Sequence, residues 1–537
     1  MKSAKTTGLR YWMLRVLQEC DRAAAGFAPD PVHDLRVAIR RCRSLADGMI
    51  AMDPDSNWKD MKKAGKRLFQ RLGDLRDVQI MMEWVDKLHP AAAHVGAGDS
   101  PAQSQDGAAQ SNDTHAKADN SHPDRDPAAK TLLAILAHRE SEHKREARAA
   151  LEAFDRKQWR QWAKSLPLRA ARVRPGSAVF RHLALERWTT ARELHARAMR
   201  NRSQVALHTL RIGIKRFRYI VENFLPAEHK AWSGDLKHMQ DLLGEVHDLD
   251  VLWATALASH VFPDADSRKA WHEVIVRERT KRVDEYRAAT VGEKSLWNLW
   301  REGLPNGRQI QILATRRMRL WASTLDPDFA HSERVARLSL ELYDGLHTAG
   351  LLAAAESNGI PSDPRASLFA AALLHDVGKA SGNKGHHKQS LQLIKKHGTP
   401  LGWNEADMSR AAVVARFHCG ALPTRSHKLL RDLLPAEQKT TIQLAAVLRL
   451  ANALDASHDG QIRHIKIENT SPVPRGTNGS LRKLAGLPKN EALVIAAEGY
   501  TASSPAAQTI AAERFLLETV LRRPVIVKSL KAAGQTS

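Results

Sequence analysis

Cysteine is nearly missing from this chain: three of 537 residues, Cys20, Cys42 and Cys419. They show neither metal-ligand spacing nor an even-numbered framework. That excludes a disulfide scaffold and fits a reducing cytoplasm. Cys42 falls in an apolar stripe and reads as a core thiol. No run of about 18 apolar residues occurs, so no transmembrane helix is expected. The N-terminal stretch carries Arg10 and Arg15, lacks an uninterrupted apolar segment and a small-residue cleavage site, and is not expected to be a signal peptide. Aromatic residues make up only 5%. That disfavours a single-strand nucleic-acid site, where bases stack on aromatic rings.

Acidic residues are the minority charge. Lys and Arg number 82 against 59 Asp and Glu, a formal net charge of +23. Such an excess favours polyanions: nucleic acid, an anionic membrane surface or a phosphate polymer. Charge alone does not choose among them. The length suggests two to four domains at about 100–200 residues each.

What is present is one stretch that occurs twice. HDLRVAIRRCR at 33–43 returns as HTLRIGIKRFR at 208–218. Wound as a helix at roughly 100° per residue, His33, Arg36, Arg40 and Arg43 fall within about 80° of one another. Leu35, Ala38, Ile39, Cys42 and Leu45 take the opposite side. His208, Arg211, Lys215 and Arg218 repeat the basic face, and Leu210, Ile214, Phe217 and Val221 the apolar one. A second motif follows each copy, LGDLRD at 72–77 and LGEVHD at 243–248. The offset is 175 residues for the first motif and 171 for the second, and the latter places Lys66 on Lys237.

One unit is thus an apolar helix, a basic helix and a long basic helix, first seen over 9–25, 32–50 and 57–88. Pro29 and Pro31 are expected to separate the first two. Two such units predict a pair of pseudo-symmetric helical bundles. A solenoid is disfavoured because its periods are about 20–50 residues. Residues 94–129 interrupt the first unit with Gly, Ser, Asp, Asn, Gln and Pro. They cannot bury enough surface to offset chain entropy and are expected to be a disordered insertion. Helical patterning resumes at Thr131.

Trp297, Trp300 and GLPNG at 303–307 mark a boundary. Helical patterning then runs from 308 to about 458. The period changes to short strands over 463–467, 492–496 and 525–528, with a helix over 507–521. Along the helical part stand His331, His375-Asp376, His386-His387, His418 and Asp455, each on or at the end of a predicted helix. His331, His375, Asp376 and Asp455 suit an octahedral nitrogen and oxygen site for Mn, Fe, Mg or Zn, with no sulfur ligand expected. A second metal would use Asp376 as a bridge, with His386 or His387 and His418. Arg416 and Arg425 read as solvated charges.

The order H…HD…D resembles the HD superfamily of metal-dependent phosphohydrolases. The resemblance implies metal-assisted hydrolysis, in which a bound water loses its proton more easily and phosphoryl charge is neutralised, with Asp376, Lys379 and His418 as catalytic candidates; Lys379, His387 or His418 would contact the phosphate or protonate the leaving group. HSERVARLSLELYDGL, LFAAALLHDVGKASGNKGHHKQSLQLI, VVARFHCGALP and LAAVLRLANALDASH are similar, more closely, to the C-terminal HD-like domain of exopolyphosphatases. That resemblance covers residues 308–537 and does not reach the actin-like domains that carry catalysis in those enzymes. HDLRVAIRRCR and HTLRIGIKRFR, each followed by LGxxxD, resemble the CHAD family over residues 1–300. This resemblance implies two four-helix bundles around a basic central channel, and binding of inorganic polyphosphate. Carried onto this chain, the polyphosphate residues are His33, Arg36, Arg40, Arg41, Arg43, Lys66, Arg67 and Arg71, then His208, Arg211, Lys215, Arg216, Arg218 and Lys237. Polyphosphate bears charge on every phosphate and has no bases to read, so rows of guanidinium and ammonium groups suit it.

The expectation is a mainly α protein. A helical CHAD-like domain spans 1–300, an all-helical HD-type metal domain 308–460, and a small α+β segment 461–537. The expected function is polyphosphate binding joined to a metal-dependent phosphohydrolase acting on polyphosphate or nucleotides. The expected place is the cytoplasm, at polyphosphate granules, with no membrane partner. Two alternatives stay open: a non-catalytic granule-associated binder or sensor, and a basic nucleic-acid-binding protein.

Overall fold

The computed structural model describes residues 8–89, 126–352, 362–471 and 492–530. Within them the chain is mainly α-helical. It divides into two units, Met1–Ile50 with Asp55–Pro305, and Asn306–Ser537 with Ala51–Pro54. Residues 94–125 of the polar stretch lie outside the described residues. Among the described residues, no helix is long and apolar enough to cross a membrane.

The first unit runs α1 (Leu9–Ala24), α2 (Pro29–Ile50), α3 (Ser56–Leu88), α4 (Pro127–Glu152) and α5 (Arg156–Ala170). It continues with α6 (Ala178–Asn201), α7 (Gln204–Phe224), α8 (Pro226–Ala258), α9 (Ala265–Thr290) and α10 (Leu296–Glu302). Pro29 and Pro31 do not separate α1 from α2; they begin α2. First-turn amides have no partner within a helix, so proline loses nothing there. The chain turns earlier, at Phe27, where φ is 56°. Residues 127–129, expected in the polar insertion, form the first turn of α4. Asp126 accepts from the Ala128 amide at 3.2 Å, and Ala128 and Ala129 are buried. Such a cap typically contributes about 1 kcal/mol.

The basic helices α2 and α7 have 22 and 21 residues, and α3 and α8 have 33 each. α2 packs on α7 and α3 on α8. Trp84 of α3, Leu132 of α4, Leu249 of α8 and Trp271 of α9 share one apolar cluster. The apolar faces therefore go to cores, while the polar faces of α2, α3, α7 and α8 converge.

The second unit runs α11 (Gly307–Ser323), α12 (Phe329–Thr348), α13 (Pro364–Leu374), a 3-10 turn (Val377–Ser381), α14 (His386–His397), α15 (Glu405–Arg416) and α16 (Pro435–Leu454). Then come β1 (Ile465–Ser471), β2 (Ala492–Ala497), α17 (Pro505–Leu521) and β3 (Val525–Ser529). The sheet order is β1-β2-β3. β1 and β2 are antiparallel with Ile467 opposite Ile495; β2 and β3 are parallel with Ile495 opposite Val527. β2 is buried throughout, as an apolar central strand should be. β1 packs on α12 and α17 on α16, so the α+β segment shares the core of the helices before it.

Candidate anion-binding cluster and metal centre

In the first unit the two basic motifs meet. Arg36 and Arg40 of α2 lie close to Arg211 and Lys215 of α7. Burial and these three guanidiniums push Lys215 down to about 8. Burial also lowers Arg36, with Arg40 and Arg76 adding to it and Asp77 opposing. Nη1 of Arg36 is buried without a hydrogen-bond partner, as is the Tyr219 hydroxyl. Lys215 Nζ sits 5.9 Å from the Tyr219 ring. Four crowded cations and two polar groups without hydrogen-bond partners are the chemistry that an anion would answer.

The LGxxxD motifs supply the carboxylates of this cluster, a role that the spacing alone did not reveal. Burial raises the Asp77 carboxyl, with Arg36, Arg211 and Lys215 opposing. Burial pushes Asp248 up to about 6, against the pull of Arg211 and with Asp77 adding to the rise. His247 was not singled out either. Its Nδ1 is 3.3 Å from Nδ1 of His208. Burial, Arg211 and His208 push His247 down to about 4. Arg76 takes the corresponding place in the first motif.

The remaining expected residues spread outward. Arg41 turns to Glu222, an ion pair that ties α2 to α7, and Arg218 reaches the same carboxylate at 3.9 Å. Arg43 donates to the Lys62 carbonyl at 2.8 Å and lies 5.3 Å from the Phe69 ring. Arg71 pairs with Glu146 at 3.1 Å. His33, Lys66, Arg67, Arg216 and Lys237 are exposed. Arg41 and Arg216 sit about 140° and 140° around their helices from Arg36 and Arg211, which points them away from the cluster.

In the second unit, the turn after α13 carries the metal candidates. Gly378 permits it: a Cβ there would collide with the His386 carbonyl and come within 2.7 Å of the Ser390 amide. Ser390 Oγ donates to the His375 carbonyl at 2.6 Å and accepts from the Gly378 amide at 2.9 Å. Asp376 is buried. Its Oδ2 lies 3.3 Å from His375 Nε2 and 2.5 Å from Lys379 Nζ. Its Oδ1 lies 3.3 Å from His386 Nε2 and 3.7 Å from His418 Nε2. Burial would raise the Asp376 carboxyl, but His375, His418 and Lys379 hold it well below the carboxylate range.

Two groups of candidate ligands result, His331 with His375 and Asp376, and His386 with His418 and Cys419. His375 Nε2 and Asp376 Oδ1 are buried without hydrogen-bond partners. His375 Nδ1 is spent on the Ala372 carbonyl at 2.7 Å, which leaves Nε2 as an acceptor. These donors fit a divalent cation of the Mn, Fe or Zn type.

Asp455 stands beside the first group: His331 Nδ1 lies 2.7 Å from it, and Arg334 Nε donates to its two oxygens at 2.9 and 3.0 Å. His331 is also held at Nε2 by Asn452, 3.0 Å away. A sulfur does approach the site, since Cys419 Sγ lies 3.8 Å from His386 Nε2. Spacing missed it because α14 and the end of α15 meet only in the fold. Arg416 is buried, with its guanidinium 5.4 Å from the Phe417 ring, while Arg425 is exposed. His387 is half-buried beside Cys419.

Residues 13–257 match the CHAD domain family model, and residues 316–495 match that of Ppx/GppA phosphatase, domain III. No curated protein matches the chain. Among solved structures, the crystal structure of the CHAD domain from the plant Ricinus communis is similar at 20% identity with a TM-score of 0.33. That match covers 56% of this chain and 90% of the plant chain. A CHAD domain is thus found in the N-terminal part of this protein, and a Ppx/GppA phosphatase domain III in its C-terminal part.

Proposed function

We propose that this protein binds inorganic polyphosphate through the first unit, and that its second unit is a metal-dependent phosphohydrolase. The observation that carries the binding reading is the convergence of Arg36, Arg40, Arg211 and Lys215 with Arg36 Nη1 unpaired. Both arginine–lysine stripes contribute, as duplicated binding halves would. The CHAD match supports phosphate polymer over nucleic acid, and so does a cluster holding one tyrosine rather than a row of stacking rings.

For the second unit, His331, His375, Asp376 and Asp455 would hold a divalent metal, with His386, His387 and His418 about a second. When bound, such a metal lowers the pKa of a coordinated water and neutralises phosphoryl charge. Asp376 spans both groups through its two oxygens. Lys379, next to Asp376 Oδ2, would meet a phosphoryl oxygen. Water would form the new bond to phosphorus and pass a proton to His387 as the P–O bond to the leaving oxygen breaks, and His387 would return that proton to the leaving oxygen. His418, buried against Asp376, orients the carboxylate. The non-catalytic alternative draws support from Asp455, whose oxygens are engaged by His331 and Arg334. Phosphate release from polyphosphate or nucleotides with Mn²⁺ or Mg²⁺, compared with Asp376→Ala, decides between them. Equal release by both proteins, or none by either, removes the hydrolase and leaves the binder.

A further inference from the structure

We infer that Cys419 completes a tetrahedral metal site with His386, His418 and Asp376, built for Zn²⁺ or Fe²⁺ rather than Mg²⁺. The inference deepens the reading of the second unit as metal-binding and rests on that part of it, not on catalysis.

Hydrogen bonds fix the tautomers. His386 Nδ1 lies 2.8 Å from the Asn383 carbonyl, and His418 Nδ1 lies 2.7 Å from the Ala415 carbonyl. A carbonyl only accepts, so each Nδ1 carries a proton, and in the neutral imidazole that binds a metal each Nε2 keeps its lone pair. Those two lone pairs face each other at 3.0 Å. Asp376 Oδ1, also an acceptor, stands 3.3 Å from one and 3.7 Å from the other. This oxygen is buried without a hydrogen-bond partner. Three acceptors gathered this closely repel unless a cation lies between them.

Cys419 Sγ stands beside them, 3.8 Å from His386 Nε2, and the ligand atoms of Cys419, His386 and His418 lie within 4.8 Å of one another. Zinc bonds nitrogen at about 2.0–2.1 Å and sulfur at about 2.3 Å. Tetrahedral ligands at those lengths stand about 3.3 Å apart for two nitrogens and about 3.6 Å for nitrogen and sulfur. Four of the six edges, at 3.0, 3.3, 3.7 and 3.8 Å, lie near those separations. His387 Nδ1 lies 3.5 Å from the same sulfur, where an N–H would orient a thiolate. Sulfur with two imidazoles selects zinc or iron, whereas Mg²⁺ demands oxygen ligands in an octahedron.

The test uses the full chain, stripped by a chelator and loaded with Co²⁺ as a spectroscopic stand-in for zinc. A thiolate on cobalt gives a sulfur-to-metal charge-transfer band in the near ultraviolet. The wild type is expected to show that band, and Cys419→Ser to lose it while still taking up cobalt. Zinc affinity should fall at least about tenfold in Cys419→Ser. Circular dichroism checks that the variant is folded, and the wild-type spectrum decides by itself if it is not. A wild-type cobalt complex without the band, or unchanged zinc affinity in folded Cys419→Ser, overturns the sulfur ligand. Phosphate release is scored separately. The band without hydrolysis keeps this site and removes the hydrolase reading; hydrolysis without the band does the reverse.

Discussion

Gly73 lies against the guanidinium of Arg36: a methyl group on its Cα would stand 3.9 Å from Nη2. Gly244 stands in the same relation to Arg211, at 3.8 Å from Nε. In both copies, the long helix bares its backbone where the arginine of the preceding helix lies. Gly73→Ala and Gly244→Ala should therefore fit, and each should raise stability by about 0.5–1 kcal/mol, the helical disadvantage of glycine. Leucine at either position would push the guanidinium aside and weaken polyphosphate binding in a protein that still folds. Thermal melting and titration with labelled polyphosphate check both halves. Undiminished binding by the leucine variants would detach these arginines from the site.

Lys215 makes binding depend on pH in the alkaline range. Burial and the neighbouring Arg211, Arg40 and Arg36 push it down to about 8 from the usual lysine value of 10.5. A bound polyanion favours the ammonium and raises it again. Binding is then coupled to proton uptake: affinity is full below about pH 8 and falls as pH rises through that value. Folding has the opposite sign, because the unfolded chain holds the proton more tightly between about pH 8 and 10.5. Removing that proton relieves the folded state, so this residue's contribution to stability rises across the same window. Lys215→Arg should flatten the alkaline fall in affinity, as measured by titration at several pH values.

Gly378→Ala should damage the second unit more than the change of one methyl suggests. The added carbon meets the Ser390 amide at 2.7 Å and the Ser390 Oγ at 2.8 Å, besides the His386 carbonyl. Backbone there cannot yield cheaply, and overpacking of this kind costs about 1–3 kcal/mol. Denaturant unfolding gives the stability, and metal content after dialysis gives the site; both should fall together.

Asp376→Ala should release metal from both histidine groups, since the two oxygens face different sets. Mass spectrometry of the bound metal is the readout. A variant that keeps its full metal content would show that the histidines suffice without the shared carboxylate.

Much of the architecture was legible in the residues. The apolar spacing of Leu35, Ala38, Ile39 and Cys42 gave α2 its buried side, and all four are buried. The strands and their connecting helix also fell where periodicity placed them, to within a few residues. What was not legible depends on distance across the fold. Nothing in LGxxxD says that Asp77 and Asp248 enter one cluster of cations. Arg334 is one helical turn from His331, but only the return of α16 brings Asp455 onto both. Cys419 adjoins His418 in sequence and gains meaning only when α14 delivers His386.

The most direct measurement is a competition at physiological salt between labelled polyphosphate and duplex DNA, run on the wild type and on Arg36→Glu with Arg211→Glu. Polyphosphate is expected to win on the wild type. The double reversal is expected to lower affinity at least about tenfold, since hydrogen bonds to charged groups contribute about 1.5–3 kcal/mol, while metal content stays unchanged. Preference for DNA, or undiminished polyphosphate binding by the doubly reversed protein, would contradict it.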